Sequence, residues 1–394
     1  MKVFVVHNRY SSQVPSGENM VVDEECAQLA AAGHEVLTWF RSNDELRNRG
    51  VVSMMANAGR ALHSPRDVAG VDQMIEAHRP DVVHVHNTLP LLSPSVIRPA
   101  VKREIPVVHT VHNYRLVCAS GTLFRDGRPC AACRGRRVRW PAMVHGCYGG
   151  SRPASAVAAT SISAHRSTWD QIDRFLAISQ HVAEFLVEEG VPPDRITVKP
   201  NSVADPGIIT AAGTGWLFVG RLEAEKGVQL LLDAWRLLPH HPTRTLTIAG
   251  DGPLRPMVAE AARLLPTVSY VGQQTQAELA VLFRGSAGTI VPSTWAEGFG
   301  RVAVESFSHG RPVIATRMGA LATIVDDTVG WTCDTAPRSL AHTIVSASAE
   351  SAHAKGVAAR ERYLKRYTPA AVLDHLVNTY REVIEAGHLP RHRR

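Results

Sequence analysis

The chain has 394 residues, which is enough for two or three domains. Hydrophobic residues make up 45% of it and charged residues 20%, a composition typical of globular proteins. The formal net charge of +7 is compatible with a phosphorylated substrate, an anionic membrane surface or nucleic acid. No apolar run approaches the roughly 18 residues of a membrane-spanning helix, and the apolar start at residues 2–6 is too short for a signal peptide. We therefore expect a cytoplasmic protein, in peripheral contact with the inner face of the cell membrane at most.

Short apolar runs alternate with longer amphipathic segments along the chain, a pattern typical of repeated βα units with parallel sheets. The strands predicted in the first half are residues 2–7, 35–40, 81–86, 106–112, 174–179 and 196–200, with a helix at 18–32. Those predicted in the second half are residues 216–220, 245–250, 268–272, 289–292, 312–316 and 330–333. The pattern predicts two doubly wound α/β domains, which bind ligands at the carboxyl ends of their strands and face a cleft.

The domain boundaries follow from where this pattern pauses and restarts. We predict an N-terminal domain over residues 1–203, with a Cys-rich insertion at about 115–150, and a C-terminal domain over residues 204–368. Residues 201–215 are rich in Ala, Gly, Thr and Pro and are interpreted as a linker. Residues 369–386 have the pattern of an amphipathic helix, and residues 390–394 that of a basic tail.

A glutamate pair, Glu297 and Glu305, lies where a predicted strand gives way to a helix. Gly298 and Gly300 allow tight turns close to a ligand, and the unpaired N–H groups of the helix that follows can bind a pyrophosphate. A carboxylate just behind those groups can accept hydrogen bonds from a ribose diol, and a carboxylate in the loop can reach the hydroxyls of a transferred sugar. Taken alone, the pair is better explained as two helix-start acids that the helix dipole stabilises.

Three further segments accompany the pair, in the order of a known family. The 297–305 spacing resembles the E-x7-E signature of the GT-B glycosyltransferases, specifically the retaining glycosyltransferase family 4, or glycosyl transferases group 1. Residues 220–227 (GRLEAEKG) resemble its G-R-L-x-x-x-K-G segment, and residues 249–254 (AGDGPL) resemble its G-x-G-P motif. Residues 311–316 (RPVIAT) resemble the strand after the E-x7-E helix. The resemblance covers nearly the whole chain and is densest from residue 216 to 333.

The resemblance implies a GT-B fold, in which two Rossmann-like domains face a central cleft and the last helix, about residues 369–394, crosses back to the first domain. It implies that Glu305 holds the ribose, while Glu297, as a catalytic residue, contacts and orients the donor sugar. Arg221 and Lys226 would clamp the pyrophosphate, because cations offset the charge that grows on the leaving nucleoside diphosphate. Phe299, Gly300 and Gly17 complete the implied substrate-binding residues. The resemblance implies no catalytic metal.

Gly17 lies at the start of the first predicted helix. Ser16 or Gly17 as a cap, with Glu18 in the first turn, also make an ordinary helix start. The family often carries a Gly-Gly pair here, in a loop that approaches the donor phosphates, whereas this chain has one glycine.

His112 ends a predicted strand, and the resemblance places it close to the transferred sugar as a second catalytic residue. Asn113 follows it where the family often has an acid, so no carboxylate role is carried over to that position. His84 and His86 alternate with valines and are interpreted as structural or cleft-rim residues. A hydrogen-bonded histidine at a strand end is the alternative interpretation of His112.

Four cysteines of the insertion have the spacing C-x11-C-x2-C-x13-C: Cys118, Cys130, Cys133 and Cys147. The C-x2-C core suits a tetrahedral thiolate site, most commonly zinc, and the glycine-rich chain around it would gain order from a metal. The spacing predicts a structural zinc, with His145 as an alternative ligand. Buried thiols and a disulfide stay open as alternatives. A catalytic zinc is not expected, because four thiolates leave no open coordination position.

An arginine run lies in the same insertion beside Trp140, at Arg134, Arg136, Arg137 and Arg139. Such a run is usually a solvated face. The functional alternative is a patch that binds the acceptor or faces a membrane, because arginines with a tryptophan suit anionic headgroups or a lipid-linked diphosphate.

The predicted reaction moves a sugar, of hexose type, from a nucleoside diphosphate sugar to an acceptor hydroxyl with retention of anomeric configuration. The expected setting is cell-envelope polysaccharide, glycolipid or natural-product glycoside synthesis. With no evident covalent nucleophile, the resemblance favours a front-face mechanism. Three alternatives stay open: an epimerase or phosphorylase on the same fold, a non-catalytic nucleotide-sugar-binding module, and a nucleic-acid-binding protein. Nucleic acid is not an expected partner, because no aromatic stacking motif accompanies the charge.

Overall fold

A computed structural model of the protein describes residues 1–12, 16–46, 59–207, 213–239, 241 and 243–387. The chain divides into two compact units. The N-terminal unit comprises residues 1–123, 131–199 and 373–394, and the C-terminal unit comprises residues 124–130 and 200–372. Residues 124–130, which the sequence assigned to the N-terminal insertion, therefore group with the C-terminal unit. The predicted tail at 390–394 and the middle of the predicted linker, residues 208–212, lie outside the described residues.

The N-terminal unit is built on a six-stranded parallel sheet of order β2-β1-β3-β4-β7-β8. Its strands are β1 (Lys2–Arg9), β2 (Glu35–Ser42), β3 (Val82–Val85), β4 (Val107–Val111), β7 (Arg174–Ala177) and β8 (Ile196–Val198). Its helices are α1 (Gly17–Ala31), α2 (Pro65–His78), α3 (Arg98–Lys102), α4 (Trp140–Val144), α5 (Arg152–Ala164), α6 (Arg166–Trp169) and α7 (Gln180–Glu188). The six strands predicted for this half are all present.

The core of this unit joins the first strand to the end of the chain. Val3 and Val5 of β1 pack in one cluster with Leu376 and Tyr380 of the last helix, α15 (Pro369–Gly387). Helix α1 begins where the Ser16 side chain accepts a hydrogen bond from the Asn19 N–H at 3.3 Å, an ordinary N-cap. The last helix of the chain therefore packs into the hydrophobic core of the N-terminal unit.

The C-terminal unit repeats the architecture with a parallel sheet of order β11-β10-β9-β12-β13-β14. Its strands are β9 (Trp216–Val219), β10 (Leu246–Ala249), β11 (Val268–Gly272), β12 (Gly288–Val291), β13 (Val313–Thr316) and β14 (Gly330–Cys333). Its helices are α8 (Val228–Arg236), α9 (Arg255–Leu264), α10 (Gln276–Gly285), α11 (Arg301–Ser308), α12 (Leu321–Ile324), α13 (Pro337–Ser346) and α14 (Ala349–Arg366). The prediction of two doubly wound parallel-sheet domains is confirmed.

Within the part of the chain that the structure describes, a short antiparallel hairpin, β5 (Phe124–Arg125) with β6 (Arg128–Pro129), is the one pair of strands that the sequence did not predict. It lies in the cysteine-rich insertion, where apolar periodicity is weak. Among the described residues, no helix is both long enough and apolar enough to cross a bilayer.

Candidate functional site

The candidate site of the C-terminal unit begins in the loop between β9 and α8, which carries Arg221 and Lys226. Gly227 ends this loop in the left-handed region, with φ at 71°. A Cβ at this position would lie 1.8 Å from the Pro292 carbonyl oxygen, so only glycine lets the loop approach the end of β12. This backbone contact brings Lys226 next to the loop that follows β12.

The glycine-rich loop after β10 packs on the same segment. A Cβ at Gly250 would lie 1.9 Å from the Gly220 carbonyl oxygen, and one at Gly252 would lie 2.8 Å from the Leu222 carbonyl oxygen. The Leu222 N–H also donates to the Asp251 carbonyl at 2.8 Å. The two motifs that looked separate in the sequence therefore form one layer of closely packed backbone at the carboxyl ends of β9 and β10.

Glu297 lies in the loop between β12 and α11, and its carboxylate is buried. Its Oε1 accepts hydrogen bonds from Lys226 Nζ at 2.7 Å and from Ser293 Oγ at 2.8 Å. Burial alone would raise the pKa of Glu297, but Lys226 and these hydrogen bonds hold it below its ordinary value. Glu297 is therefore an anion at neutral pH, paired with the cation that the sequence assigned to the pyrophosphate.

Glu305 lies one turn inside α11. Gly300 begins this helix with φ at 76°, and a Cβ there would lie 2.7 Å from Leu321 Cδ2. Glu305 Oε1 accepts a hydrogen bond from Arg301 Nε at 3.0 Å, and Arg301 also donates to the Ser202 carbonyl at 3.4 Å. The carboxylate is thus held in place just behind the helix N-terminus, where the dipole also favours negative charge.

Phe299 lies just before α11, between Glu297 and Glu305. Its side chain is buried and packs edge-to-face on Tyr367, with ring centroids 6.1 Å apart. The ring therefore belongs to the hydrophobic packing of the C-terminal unit, and the substrate-binding role predicted for Phe299 stays a prediction.

Arg221 is the most exposed residue of the predicted donor site, with 55% of its side chain accessible. Its guanidinium pairs with Glu223 at 2.9 Å and with Glu225 at 3.3 Å. Burial and the neighbouring Glu225 raise the pKa of Glu223 to about 7, while the pKa of Glu225 is lowered, so the two carboxyls share a proton near neutral pH. Arg221 is thus held in a solvent-accessible ion pair that a phosphate can replace.

In the N-terminal unit, His112 belongs to a buried polar network. His112 Nε2 lies 2.9 Å from His86 Nδ1, and His86 Nε2 lies 3.5 Å from Glu25 Oε1. The same carboxylate pairs with Lys199, and its Oε1 lies 3.0 Å from His84 Nδ1. The network is extended by Tyr380, whose hydroxyl lies 2.6 Å from His84 Nδ1, and by Thr110, whose hydroxyl lies 2.7 Å from His84 Nε2.

This network keeps the two facing histidines uncharged. Burial lowers the pKa of His86 and of His112 well below the ordinary value, so both rings are neutral. Burial would raise the pKa of Glu25, but Lys199 and His84 hold it well below its ordinary value. Between two neutral rings, one ring donates and the other accepts in the hydrogen bond that joins His86 and His112.

A pocket in the N-terminal unit lies beside this histidine, lined by Glu18, His86, His112, Asn113, Arg115 and Trp169 among others. Glu18 Oε2 accepts hydrogen bonds from Asn113 Nδ2 at 3.1 Å and from the Tyr10 hydroxyl at 3.3 Å. Burial raises the pKa of Glu18, against the opposing effect of Arg115. Gly17 precedes Glu18 as the first residue of α1, with no described atom within 4 Å of where its Cβ would be. The structure therefore places Gly17 and His112 at the same edge of the sheet.

The four cysteines of the insertion are divided between the two units, since Cys130 belongs to the C-terminal unit and Cys118, Cys133 and Cys147 to the N-terminal unit. Among the described residues, the one group of three or more His, Cys, Asp or Glu ligand atoms within 4.8 Å of one another is Glu25, His84 and His86. Lys199 already pairs with that carboxylate, so we interpret the group as a hydrogen-bond network. The four cysteines form no disulfide. The zinc site predicted from their spacing therefore stays a prediction.

The sequence missed Glu25, Lys199 and Ser293. Glu25 carried a signal, because it lies on the same face of α1 as the buried Val21, Val22 and Leu29, where a carboxylate needs a partner. Lys199 directly follows strand β8 and is buried as well, so it too needs a partner of opposite charge. Their pairing could not be predicted, because the two residues are 174 positions apart in the sequence.

Comparison with known proteins identifies both units. Residues 16–202 match a family model described as glycosyl transferase 4-like domain, and residues 214–350 match one described as glycosyl transferases group 1. The chain is 28% identical over 384 residues to a glycogen synthase of Mycobacterium tuberculosis, a match that covers 86% of this chain and 84% of that protein. It is also 28% identical over 334 residues to a D-inositol 3-phosphate glycosyltransferase of Pseudarthrobacter chlorophenolicus, with 78% and 75% covered.

Two solved structures share the fold over almost the whole chain. Sucrose-phosphate synthase of Thermosynechococcus elongatus superimposes with a TM-score of 0.70 at 18% identity, covering 98% of this chain and 99% of that one. HepE of Anabaena, solved in complex with UDP, superimposes with a TM-score of 0.67 at 16% identity, covering 97% and 100%. At this level of identity the likeness establishes the fold, two parallel-sheet α/β domains of the GT-B type.

Proposed function

Since this chain belongs to the group 1 glycosyltransferases, and is itself a glycosyltransferase, we propose that it moves a sugar from a nucleoside diphosphate sugar to an acceptor hydroxyl with retention of configuration. The observation that carries the proposal is the pairing of Lys226 with Glu297 at 2.7 Å, beside the N-terminus of α11. A cation and a carboxylate are thereby placed together where the backbone N–H groups of a helix face outward. That combination suits a diphosphate and the sugar attached to it.

In the proposed donor complex, the diphosphate is bound by Arg221, by Lys226 and by the start of α11. Arg221 and Lys226 each pair with a carboxylate in the structure, and a diphosphate bound beside them adds charge-assisted hydrogen bonds to both cations. Glu305 accepts the ribose hydroxyls. HepE, which shares the fold, was solved with UDP, which supports a nucleoside diphosphate as the leaving group.

In the proposed reaction, the bond between the anomeric carbon and the leaving phosphate breaks, and the acceptor oxygen bonds to the same face of the sugar. The acceptor proton passes to the leaving phosphate, so that no covalent enzyme intermediate forms. Glu297 is the proposed catalytic residue that orients the donor sugar, and Arg221 and Lys226 stabilise the charge that develops on the phosphate. His112 is the second proposed catalytic residue and hydrogen-bonds a hydroxyl of the transferred sugar. No catalytic metal takes part in the proposal.

The acceptor is proposed only as a class. The two relatives named above act, by their names, on a polysaccharide and on a phosphorylated inositol, and so point to different acceptors. We propose synthesis of a cell-envelope polysaccharide, a glycolipid or a natural-product glycoside, by a cytoplasmic enzyme. A lipid-linked acceptor would place the enzyme at the inner face of the membrane.

Slow hydrolysis of the donor tests the reaction without knowledge of the acceptor. A panel of nucleoside diphosphate sugars is incubated with the protein and followed by proton NMR, which reports the anomeric configuration of the sugar first released. We expect one donor to be hydrolysed with release of the donor's own anomer, and Glu297→Gln to lose this activity. Glu260→Gln, an exposed carboxylate of the same unit, is the matched control and keeps it. Conversion of the sugar without release indicates an epimerase, and absence of any turnover indicates a binding module.

A further inference from the structure

One segment of the N-terminal half carries the basic excess of the whole protein. Residues 127–169 contain seven arginines and no aspartate or glutamate, and the formal net charge of the chain is +7. The arginines are Arg128, Arg134, Arg136, Arg137, Arg139, Arg152 and Arg166. A stretch of this length without an acid offers little internal neutralisation, so its exposed arginines present their charge to whatever lies outside the protein.

The structure separates the four arginines of the run into two kinds. Arg134 pairs with Glu189 at 2.8 Å and with Glu188, so its charge is neutralised within the unit. Arg139 is buried and donates to the Cys133 carbonyl at 2.8 Å. Arg136 and Arg137 are exposed, and neither forms an ion pair with a described residue. The charge available to a partner therefore comes from these two adjacent side chains.

Three large hydrophobic side chains lie exposed next to the same two arginines. Val138 is 55% exposed, Trp140 49% and Val144 51%, and all three lie within seven residues of the chain. Trp140 and Val144 are one turn apart on α4, so they share a face, while Pro141 and Ala142 between them are buried. We call these three residues, together with Arg136 and Arg137, the Trp140 surface.

Within the Trp140 surface, the charge and the aromatic ring are arranged together. The Arg136 guanidinium lies over the Trp140 ring, 5.3 Å from its centroid, and Arg136 Nε donates to the Ala132 carbonyl at 2.7 Å. The guanidinium and the exposed part of the indole therefore lie side by side on the surface. An indole amid exposed valines suits the boundary between headgroups and acyl chains, and guanidinium groups beside it suit lipid phosphates.

We propose that the Trp140 surface docks the protein on an anionic lipid bilayer, with Trp140, Val138 and Val144 at the acyl boundary and Arg136 and Arg137 on the headgroup phosphates. Among the exposed large hydrophobic side chains of the described residues, Trp140 is the one aromatic, whereas single-stranded nucleic acid is bound by several rings on which successive bases stack, which favours a bilayer over nucleic acid. The bilayer is thus proposed as a partner of the transferase. Docking itself does not depend on the proposed function, but its purpose, which is access to a lipid-linked acceptor, rests on that function.

Vesicle flotation of the full-length protein tests the proposal without donor or acceptor. Vesicles of phosphatidylcholine alone are compared with vesicles that also contain phosphatidylglycerol, over a series of salt concentrations. We expect binding to the anionic vesicles, weakened by salt, and little binding to phosphatidylcholine. Arg136→Gln with Arg137→Gln should weaken binding about thirtyfold, since each arginine near an anionic surface contributes roughly fivefold. Trp140→Ser should weaken it on the order of tenfold, through the loss of apolar area.

A matched control lies on the C-terminal unit, where Leu264 is 56% exposed and follows Arg263. Arg263→Gln with Leu264→Ser removes the same kinds of group and should leave vesicle binding unchanged. The arginine pair and Trp140 are changed separately, so that if thermal melting shows one variant to be misfolded, the other still decides.

Equal binding to both vesicle types, absence of binding to either, or equal loss in the control would overturn the proposal. Steeply salt-dependent binding to duplex DNA that survives Trp140→Ser, with no vesicle binding, would identify a nucleic-acid surface instead. Vesicle binding and donor hydrolysis are independent readouts, so failure of one leaves the other standing.

Discussion

The two units hold their charged groups in opposite ways. In the C-terminal unit, Arg221 is 55% exposed and pairs with carboxylates of its own loop, whereas Lys226 is 24% exposed and pairs with Glu297 of the loop after β12. In the N-terminal unit, Lys199 pairs with Glu25, and their side chains are only 1% and 7% exposed. Both lie inside a network of histidines. Exposed pairs can exchange a partner for a ligand at little cost, whereas a buried pair is committed to the fold. The contrast separates groups placed to bind from groups placed to support.

The largest expected effect comes from breaking the buried pair. Glu25→Gln leaves Lys199 as an uncompensated buried cation, and we expect it to lower the free energy of unfolding by about 3–5 kcal/mol. Asp23→Asn, two residues earlier on the same helix, removes an exposed partner of Arg9 and should cost less than about 1 kcal/mol. Denaturant unfolding of both variants measures the difference. Similar costs for the two would mean that the network does not support the fold as described.

The Lys226–Glu297 pair is intermediate, because it is largely buried yet faces the proposed donor. Lys226→Met leaves the Glu297 carboxylate without its cation, and should lower the free energy of unfolding by about 2 kcal/mol as well as weaken nucleotide binding. Arg221→Met should weaken nucleotide binding while changing stability by less than about 0.5 kcal/mol. Unfolding curves and nucleotide titrations on the two variants check this. Equal destabilisation by both would remove the distinction between the two cations.

The pH dependence of stability should report the protonation of the two buried carboxylates, Glu25 and Glu297. The folded-state pKa values of Glu25 and Glu297 both lie below the ordinary value of 4.5. Each therefore contributes stability that is complete above about pH 4.5 and is lost as the pH falls through its folded pKa. Melting temperatures between neutral and acidic pH should fall steeply for the wild type and less steeply for Glu297→Gln. Parallel curves would contradict the lowered pKa of Glu297.

The smallest expected effect belongs to Glu223, whose folded-state pKa is raised to about 7. Because this value exceeds the ordinary 4.5, the carboxyl destabilises the fold progressively as the pH rises from 4.5 to about 7. Glu223→Gln should therefore melt higher than the wild type at pH above 7, by an amount corresponding to less than about 1 kcal/mol, because the group is partly exposed. The advantage should vanish in mildly acidic buffer. A difference independent of pH would show that the pair does not share a proton.

The charged groups of the proposed donor site in the C-terminal unit could largely be predicted from the sequence. The buried network of the N-terminal unit could not. The loops of the proposed donor site carry local sequence motifs. Close backbone contacts require glycine at positions 227 and 250, and such glycines can be recognised in the sequence. The strands were predicted because apolar runs and their spacing are local properties. The network around His86 joins Glu25 to Lys199 and His84 to Tyr380, partners 174 and 296 positions apart, and no local pattern reports such pairings.

The cysteine-rich insertion shows what spacing can and cannot predict. The C-x2-C pattern predicts zinc, and that stays a prediction, because Cys130 belongs to the C-terminal unit and Cys118, Cys133 and Cys147 to the N-terminal unit. Trp140 and its arginines, by contrast, became informative only when burial divided the run into paired and exposed members. Spacing alone could not tell Arg134 from Arg137, because an ion pair with Glu188 and Glu189 depends on how distant segments pack.

The central claim is that the C-terminal unit binds a nucleoside diphosphate through Glu305 and the two cations. Thermal melting with a panel of nucleoside diphosphates tests it most directly, because a ligand that binds the folded state raises its stability by mass action. We predict that one nucleotide raises the melting temperature of the wild type, that Glu305→Ala abolishes most of this shift, and that the exposed control Glu361→Ala retains it. If no nucleotide shifts the wild type, or if Glu305→Ala shifts as much as the wild type, the assignment of the donor site is wrong.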